Sequence, residues 1–294
     1  MRGLLTAEEM SRSRALGLLL AAAVLWSLGG IVIKLVPWPP VAIAGGRSAI
    51  AALLFYAVRG KRKTIWSRPL IGGAVAYTAT MITFVAATKM TTAANAILLQ
   101  YTAPIYVAVL GAWFLKEKTG KADWAVVLTV IAGMSLFFLD DLSTGNMLGN
   151  FFAILSGISY ATLVIFLRLQ KDASPIDAVF YGNVLTFIVG LPFMFGASPG
   201  MAGLAGLVFL GFLQIGLGYL LYVAAIRHVS ALEGVLVPVI EPILNPVWVL
   251  LVIGEAPGLY AILGGFVVIV SITWRCLTSV KKETAACSRI KKAS

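Results

Sequence analysis

Residues 86–120 read AATKMTTAANAILLQYTAPIYVAVLGAWFLKEKTG, and residues 224–258 read AAIRHVSALEGVLVPVIEPILNPVWVLLVIGEAPG. A shift of 138 positions aligns Phe84–Glu117 with Tyr222–Glu255 without a gap, with nine identities in 34 positions. They are Val85/Val223, Ala86/Ala224, Ala87/Ala225, Ala93/Ala231, Leu98/Leu236, Pro104/Pro242, Ile105/Ile243, Val109/Val247 and Glu117/Glu255, and Lys89 falls opposite Arg227. Shared apolar composition produces chance matches. A proline, a glutamate and a basic residue matching at one offset instead mark a duplication. A weaker match sets Leu16-Gly17 against Leu148-Gly149 and Ser27 against Ser159.

The rest of the chain says what was duplicated. Of its 294 residues, 60% are hydrophobic and 12% charged, and mean hydropathy is +0.95. A soluble chain carries about 25% charged residues, so soluble and disordered classes are excluded. The two cysteines, Cys276 and Cys287, lie near the C-terminus and build no disulfide framework or metal cluster. Ten apolar stretches approach the roughly 20 residues that a membrane-spanning helix needs. They cover residues 15–34, 40–58, 70–89, 93–115, 124–139, 148–167, 177–196, 204–225, 231–253 and 258–277. The fifth and seventh carry the weakest signal. The first is too long for a cleaved signal peptide and reads as a retained helix.

If the N-terminus is cytoplasmic and the chain crosses ten times, 20 of the 23 lysines and arginines fall in inside segments. Lys34 and Lys89 fall outside, and Arg47 falls within the second span. That bias is a positive-inside signal, and removing one span would scramble it. The net charge of +11 is therefore a topology signal that also favours anionic lipid, and no nucleic-acid partner is implied. Five spans per copy is an odd number, so the second copy is expected upside down. Inverted repeats of this kind mark secondary transporters, with the substrate site near mid-membrane between the repeats. The expected fold is an all-α membrane protein of ten transmembrane helices in two inverted five-helix repeats. Residues 1–14 form a cytoplasmic tail, 15–143 the first repeat, 144–277 the second, and 278–294 a basic cytoplasmic tail.

The two quoted stretches resemble the repeats of the drug/metabolite transporter superfamily, EamA type. Each has an Ala-rich helix start, a mid-helix proline and a glutamate closing the helix. The openings LWSLGGIVIK and AGGRSAIAALLF are similar to that family's first two helices. Within it, the chain looks most like bacterial amino-acid exporters, aromatic ones included. The resemblance covers residues 15–277. It implies ten helices around a central cavity, cytoplasmic termini, a bacterial-type inner membrane and alternating access.

Candidate mechanistic residues follow from what a bilayer tolerates. Pro104 and Pro242 each lack the N–H that would bond the carbonyl four residues back, at Gln100 and Pro238, and favour a kink. Pro238, Pro242 and Pro246 recur at steps of four on one side of span nine. Spans four and nine are therefore expected to border the path and to flex in gating. Glu241, beside Pro242, costs at least about 2.5–3.5 kcal/mol at mid-membrane and should face the bundle interior. It can attract a substrate amino group or bind a coupling proton. Glu241, Asn245 and Trp248 form one stripe on span nine.

Arg47 lies about 10 Å deep at 1.5 Å per residue. Its side chain can snorkel to the outer interface, or pair with a substrate carboxylate or a glutamate, and a structural role is the favoured reading. Tyr77, Thr80 and Phe84 share a face of span three, which the 138-residue shift maps to Ile215, Gly218 and Tyr222 on span eight; Gln214 and Gly218 share that face. Trp26, Tyr160, Gln100 and Tyr101 are also mid-helix. As a set, these aromatic and amide residues fit an amphipathic small molecule better than a sugar phosphate, which would want several buried cations. Lys89 and Arg227 are read as interfacial anchors, and Glu117 and Glu255 as tethers of the connections they start. His228, the only histidine, is expected in a cytoplasmic loop.

No GxxxxGK[ST], HExxH, GxSxG or CxxC pattern occurs, so no enzyme, cofactor or metal site is expected. The expected partners are a small-molecule substrate and membrane lipid. The oligomeric state is left open, with a monomer compatible. The favoured function is export of amino acids or similar amphipathic metabolites. The alternatives are a multidrug or other metabolite exporter of the same fold, and a non-transporting membrane scaffold or sensor.

Overall fold

The structure, a computed structural model, describes residues 10–293 apart from 62, 92, 118, 138, 140–145, 197, 245–250 and 252–257. For residues 31, 93–94 and 279–293 it describes the backbone alone. Among the described residues the chain is helical, with no strand. The helices are α1 (Arg12–Ser27), α2 (Gly29–Leu35), α3 (Pro40–Arg59), α4 (Arg68–Met90), α5 (Ala93–Gln100) and α6 (Ala103–Phe114). They continue with α7 (Lys121–Phe137), α8 (Met147–Leu169), α9 (Pro175–Gly190), α10 (Gly200–Phe209), α11 (Gly218–Ile226), α12 (Ala231–Leu236) and α13 (Leu259–Ala293).

Short polar residues and prolines set the starts. Ser67 accepts the Leu70 amide, Asn146 accepts those of Leu148 and Gly149, and Ser230 forms a reciprocal capping box with Glu233. Prolines occupy the first turns of α3, α4, α6 and α9, where their missing N–H is no loss.

Eight helical runs are long and apolar enough to cross a membrane: Arg12–Leu35, Pro40–Arg59, Arg68–Met90, Asn95–Phe114, Met147–Leu169, Pro175–Met194, Gly200–Ile226 and Leu259–Thr278. The weakly signalled seventh stretch is among them. The fifth is α7, a helix of 17 residues. The ninth begins as α12, passes through a 3₁₀ turn at Val237–Val239, and is helical again over 240–244 before residues outside the described set. Large apolar side chains such as Trp113 and Phe266 stand exposed on the outer surface, a lipid-facing pattern no soluble protein of this size would keep.

The two halves interlock. α4 packs along α8 and α9, α9 also packs on α3, α11 packs on α1, and α7 pairs with α13. One end of the bundle gathers charges. Glu233, fully buried, pairs with Arg12 at 2.6 Å and Arg275 at 3.5 Å, and Arg275 reaches Asp123 at 2.7 Å. Arg168 pairs with Glu117 at 2.7 Å, whose other oxygen accepts the Ala231 amide. Arg12 begins α1 and Arg275 lies on α13, so the first and last helices meet at this end. The whole of α12 and the following 3₁₀ turn are buried directly beyond it.

Candidate functional site

A cleft further into the bundle is lined by Trp26, Arg47, Thr80, Met81, Phe84, Gln100, Tyr101, Tyr160, Gln214, Ile215, Tyr219 and Glu241. It holds about 480 Å³ outside the atoms, counting the part open at its mouth. Along the segment from Glu233 to Glu241 it lies eight residues, roughly 12–14 Å, from the ion-paired end. Both halves of the chain contribute to its wall.

The broken helices supply the polar edge. α5 ends at Gln100, Tyr101–Thr102 form a turn, and α6 restarts at Ala103, so Pro104 interrupts the helix as expected. The Gln100 carbonyl lies over Gly157 of α8, where an added Cβ would stand 2.8 Å from it. The Gln100 side chain donates to Ser156 Oγ at 2.8 Å. Across the cleft, the Pro238 carbonyl, deprived of its donor by Pro242, accepts from Tyr101 Oη at 2.8 Å. The same hydroxyl lies 2.7 Å from Glu241 Oε2. A phenol has one proton and faces two acceptors here.

Arg47 lies inside the bundle, away from the outer interface that was one of its expected placements. It is 1% exposed and does not snorkel. One terminal nitrogen donates to Gln214 Oε1 at 3.2 Å and the other to Met81 Sδ at 3.6 Å, while Nε has no hydrogen-bond partner among the described residues. Gln214 in turn donates to the Trp26 carbonyl at 3.3 Å. Its amide occupies the space over Gly29, where a Cβ would collide with it. Gln214 and Ile215 belong to a π-helical segment, Leu210–Leu217, that joins α10 to α11.

An aromatic cluster backs the cleft. Trp26 stands 4.9 Å from Tyr219 and 5.3 Å from Tyr222, and Tyr77 stands 5.0 Å from Tyr219, centroid to centroid. Tyr222 and Tyr160 both direct hydroxyls to the Gly234 carbonyl of α12, at 3.0 and 3.4 Å. Tyr77 donates to Asn183 at 3.0 Å. Tyr77 and Tyr222, expected at the cavity, stand behind its lining and buttress Tyr219.

Trp26, Thr80, Phe84, Gln100, Tyr101, Tyr160, Gln214, Glu241 and Arg47 are brought together at the cleft. Asn245, Pro246 and Trp248 lie outside the described residues, as does Glu255. Met81 and Tyr219 line the cleft without having been singled out. A signal for them exists, because the 138-residue shift maps one onto the other. The π segment places an additional residue in its turn, so a face drawn at α-helical spacing drifts away from Tyr219.

Lys89 caps the end of α2 through the carbonyls of Lys34 and Val36, and Arg227 bonds the Lys171 carbonyl beyond α8. These repeat-related cations thus close comparable connections. His228 lies between α11 and α12. Burial, then Arg227 and Arg168, hold it below its ordinary value. Among the described residues no three His, Cys, Asp or Glu side chains group as a metal site.

A sequence model of the EamA-like transporter family matches residues 13–139 and matches again over residues 147–275. The chain belongs to the EamA-like transporter family. As a member it is a multi-pass membrane protein of a transporter family rather than of an enzyme family, and the double match places one family unit in each half. An uncharacterized transporter of Archaeoglobus fulgidus is 28% identical over 213 residues, 71% of this chain and 77% of that protein. The uncharacterized transporters YdfC and YxxF of Bacillus subtilis are 30% and 25% identical, over 66% and 65% of this chain. The match spans 64% and 63% of those two proteins' own length, just under two thirds. A solved crystal structure shares the fold, with a TM-score of 0.75 at 17% identity, covering 89% of this chain and 96% of that one.

Proposed function

We propose that this EamA-family protein exports amino acids or similar small amphipathic metabolites as a secondary-type transporter. It works by alternating access between two inverted five-helix repeats, 15–143 and 144–277, in a bacterial-type inner membrane with both termini cytoplasmic. The eight long helices, the shorter α7 and the interrupted run from Ala231 make up the ten crossings. The meeting of α1 and α13 at one end, the double family match and the comparable contacts of Lys89 and Arg227 support this arrangement.

The observation that carries the reading is the cleft itself. It joins aromatic walls to amide groups and a half-buried carboxylate at the level of two helix breaks, a setting in which an apolar side chain and a polar head group can both be held. With the end bearing both termini sealed by ion pairs, the cleft belongs to an outward-facing state. Tyr101 links the two broken helices across the cleft.

Counterflow in proteoliposomes tests the function, comparing Trp, Phe, Thr and a lipophilic cation. Exchange of an amino acid above empty vesicles is expected. Exchange of none sinks the transporter reading, and exchange of the cation alone sinks the amino-acid assignment. Glu241→Gln should change substrate affinity or the pH dependence of flux while the protein still inserts. Wild-type flux across about pH 5 to 8 removes Glu241 from the mechanism.

A further inference from the structure

In the described structure Arg59, the other buried arginine, has a carboxylate, and so do the half-buried Arg12, Arg168 and Arg275. Arg12 has Glu233, Arg59 has Asp177 at 2.8 Å, Arg168 has Glu117, and Arg275 has Asp123 and Glu233. Arg47 is the exception, and it is the one that lines the cleft. Its two hydrogen bonds go to a neutral amide and a thioether, two of its five N–H donors. A bare guanidinium at this depth costs several kcal/mol unless something compensates it. The acid that shares the cleft, Glu241, is engaged by Tyr101 and makes no ion pair with Arg47. The cleft therefore holds a guanidinium with unfilled donors on one wall, and a carboxylate on another.

We propose that Arg47 is the specificity-determining residue of this cleft and reads a substrate carboxylate. The inference rests on the transport reading above and narrows it, since the substrate must bring its own carboxylate as the missing counter-ion. Gln214, seated over Gly29, and Met81 each hold one terminal nitrogen, which leaves Nε and the second N–H of each terminal nitrogen for a bidentate partner. Glu241 then faces the amino group of a zwitterion, and the aromatic cluster takes its side chain. An amine without the carboxylate leaves Arg47 buried and unpaired, and the site rejects it for that reason. A lipophilic cation meets the same obstacle.

The test uses matched triplets in proteoliposome counterflow. Phenylalanine, phenethylamine and hydrocinnamate form one, and leucine, isoamylamine and isocaproate the other. The wild-type protein is expected to exchange an amino acid and to exclude its amine, with the desamino acid between them. In Arg47→Gln, amino-acid exchange should fall by about tenfold or more, while amine exchange holds or rises. Arg47→Lys, which keeps the charge and loses the fork, should fall between the two without admitting the amine. Thermal unfolding in detergent checks that both variants fold, and the wild-type comparison needs no variant. If none of the six compounds exchanges, the transport reading fails and takes this one with it. If amines exchange as readily as amino acids, or Arg47→Gln keeps wild-type amino-acid exchange, only the role given to Arg47 is overturned.

Discussion

Tyr101 holds more of the site together than any charged residue does. Its hydroxyl lies within hydrogen-bond reach of both Glu241 and the Pro238 carbonyl, yet it has one proton to give. When Glu241 is ionised, the carboxylate is the stronger acceptor and the Pro238 carbonyl goes without. When Glu241 carries a proton, it can donate to the phenol oxygen while the phenol donates to Pro238, and every group is satisfied. Proton occupancy at Glu241 is thereby tied to how firmly the segment that follows α12 is held to the break between α5 and α6. Tyr101→Phe removes both bonds and leaves a buried carbonyl unsatisfied, which should cost about 1–3 kcal/mol. A drop in the detergent melting temperature checks this, together with a flux–pH profile that no longer follows wild type. Reading the sequence singled out Glu241, Tyr101 and the freed carbonyl, since a carboxylate and a proline mid-helix are visible as costs. The hydroxyl joining them was not visible, because it depends on how two helices far apart in sequence meet.

At the scale of elements, irregular helix positions the site. The Tyr101–Thr102 turn, the 3₁₀ turn at Val237–Val239 and the π segment Leu210–Leu217 each place residues on the cleft that a straight helix would direct elsewhere. Two of the three were legible, because proline announces them. The π segment has no such marker, and its sequence, LGFLQIGL, reads as ordinary apolar helix. The surroundings of Arg47 were not legible for a related reason. Depth along α3 was readable from residue counts, but the pull of Gln214 from the π segment was not. Gly29 makes that pull possible by leaving room for the Gln214 amide. Gly29→Ala should displace the amide and loosen Arg47, raising the apparent KM for an amino acid about three- to tenfold and lowering stability by about 1–3 kcal/mol. Concentration-dependent counterflow and a melting curve measure the two effects separately.

On the scale of the whole molecule, ion pairs gather at one end and the cleft lies inside the bundle beyond them. Between the ion pairs and the cleft lies α12 with its 3₁₀ turn, buried on every side and fixed by the hydroxyls of Tyr160 and Tyr222. Glu233 is the hub, holding Arg12 and Arg275 while closing the capping box of α12. Glu233→Gln retains a capping side chain but strips the charge from two guanidinium groups. Breaking such a buried pair should cost about 3–5 kcal/mol. It should also raise the labelling rate of a cysteine placed at Leu236 by a membrane-impermeant thiol reagent added from the terminal side. Unchanged labelling would show that these ion pairs stabilise the fold without holding that end shut.

The cleft's two charges belong to different halves of the chain. Arg47 comes from the first family unit and Glu241 from the second, and the repeat partner of Glu241 is Ala103. Two identical half-length chains paired about an axis would set like beside like, two arginines or two glutamates across one cavity. Such a pair could greet an anion or a cation, but not a molecule that is both. Joining the halves into one gene frees each to mutate alone, and a binding site with a head and a tail is what that freedom permits.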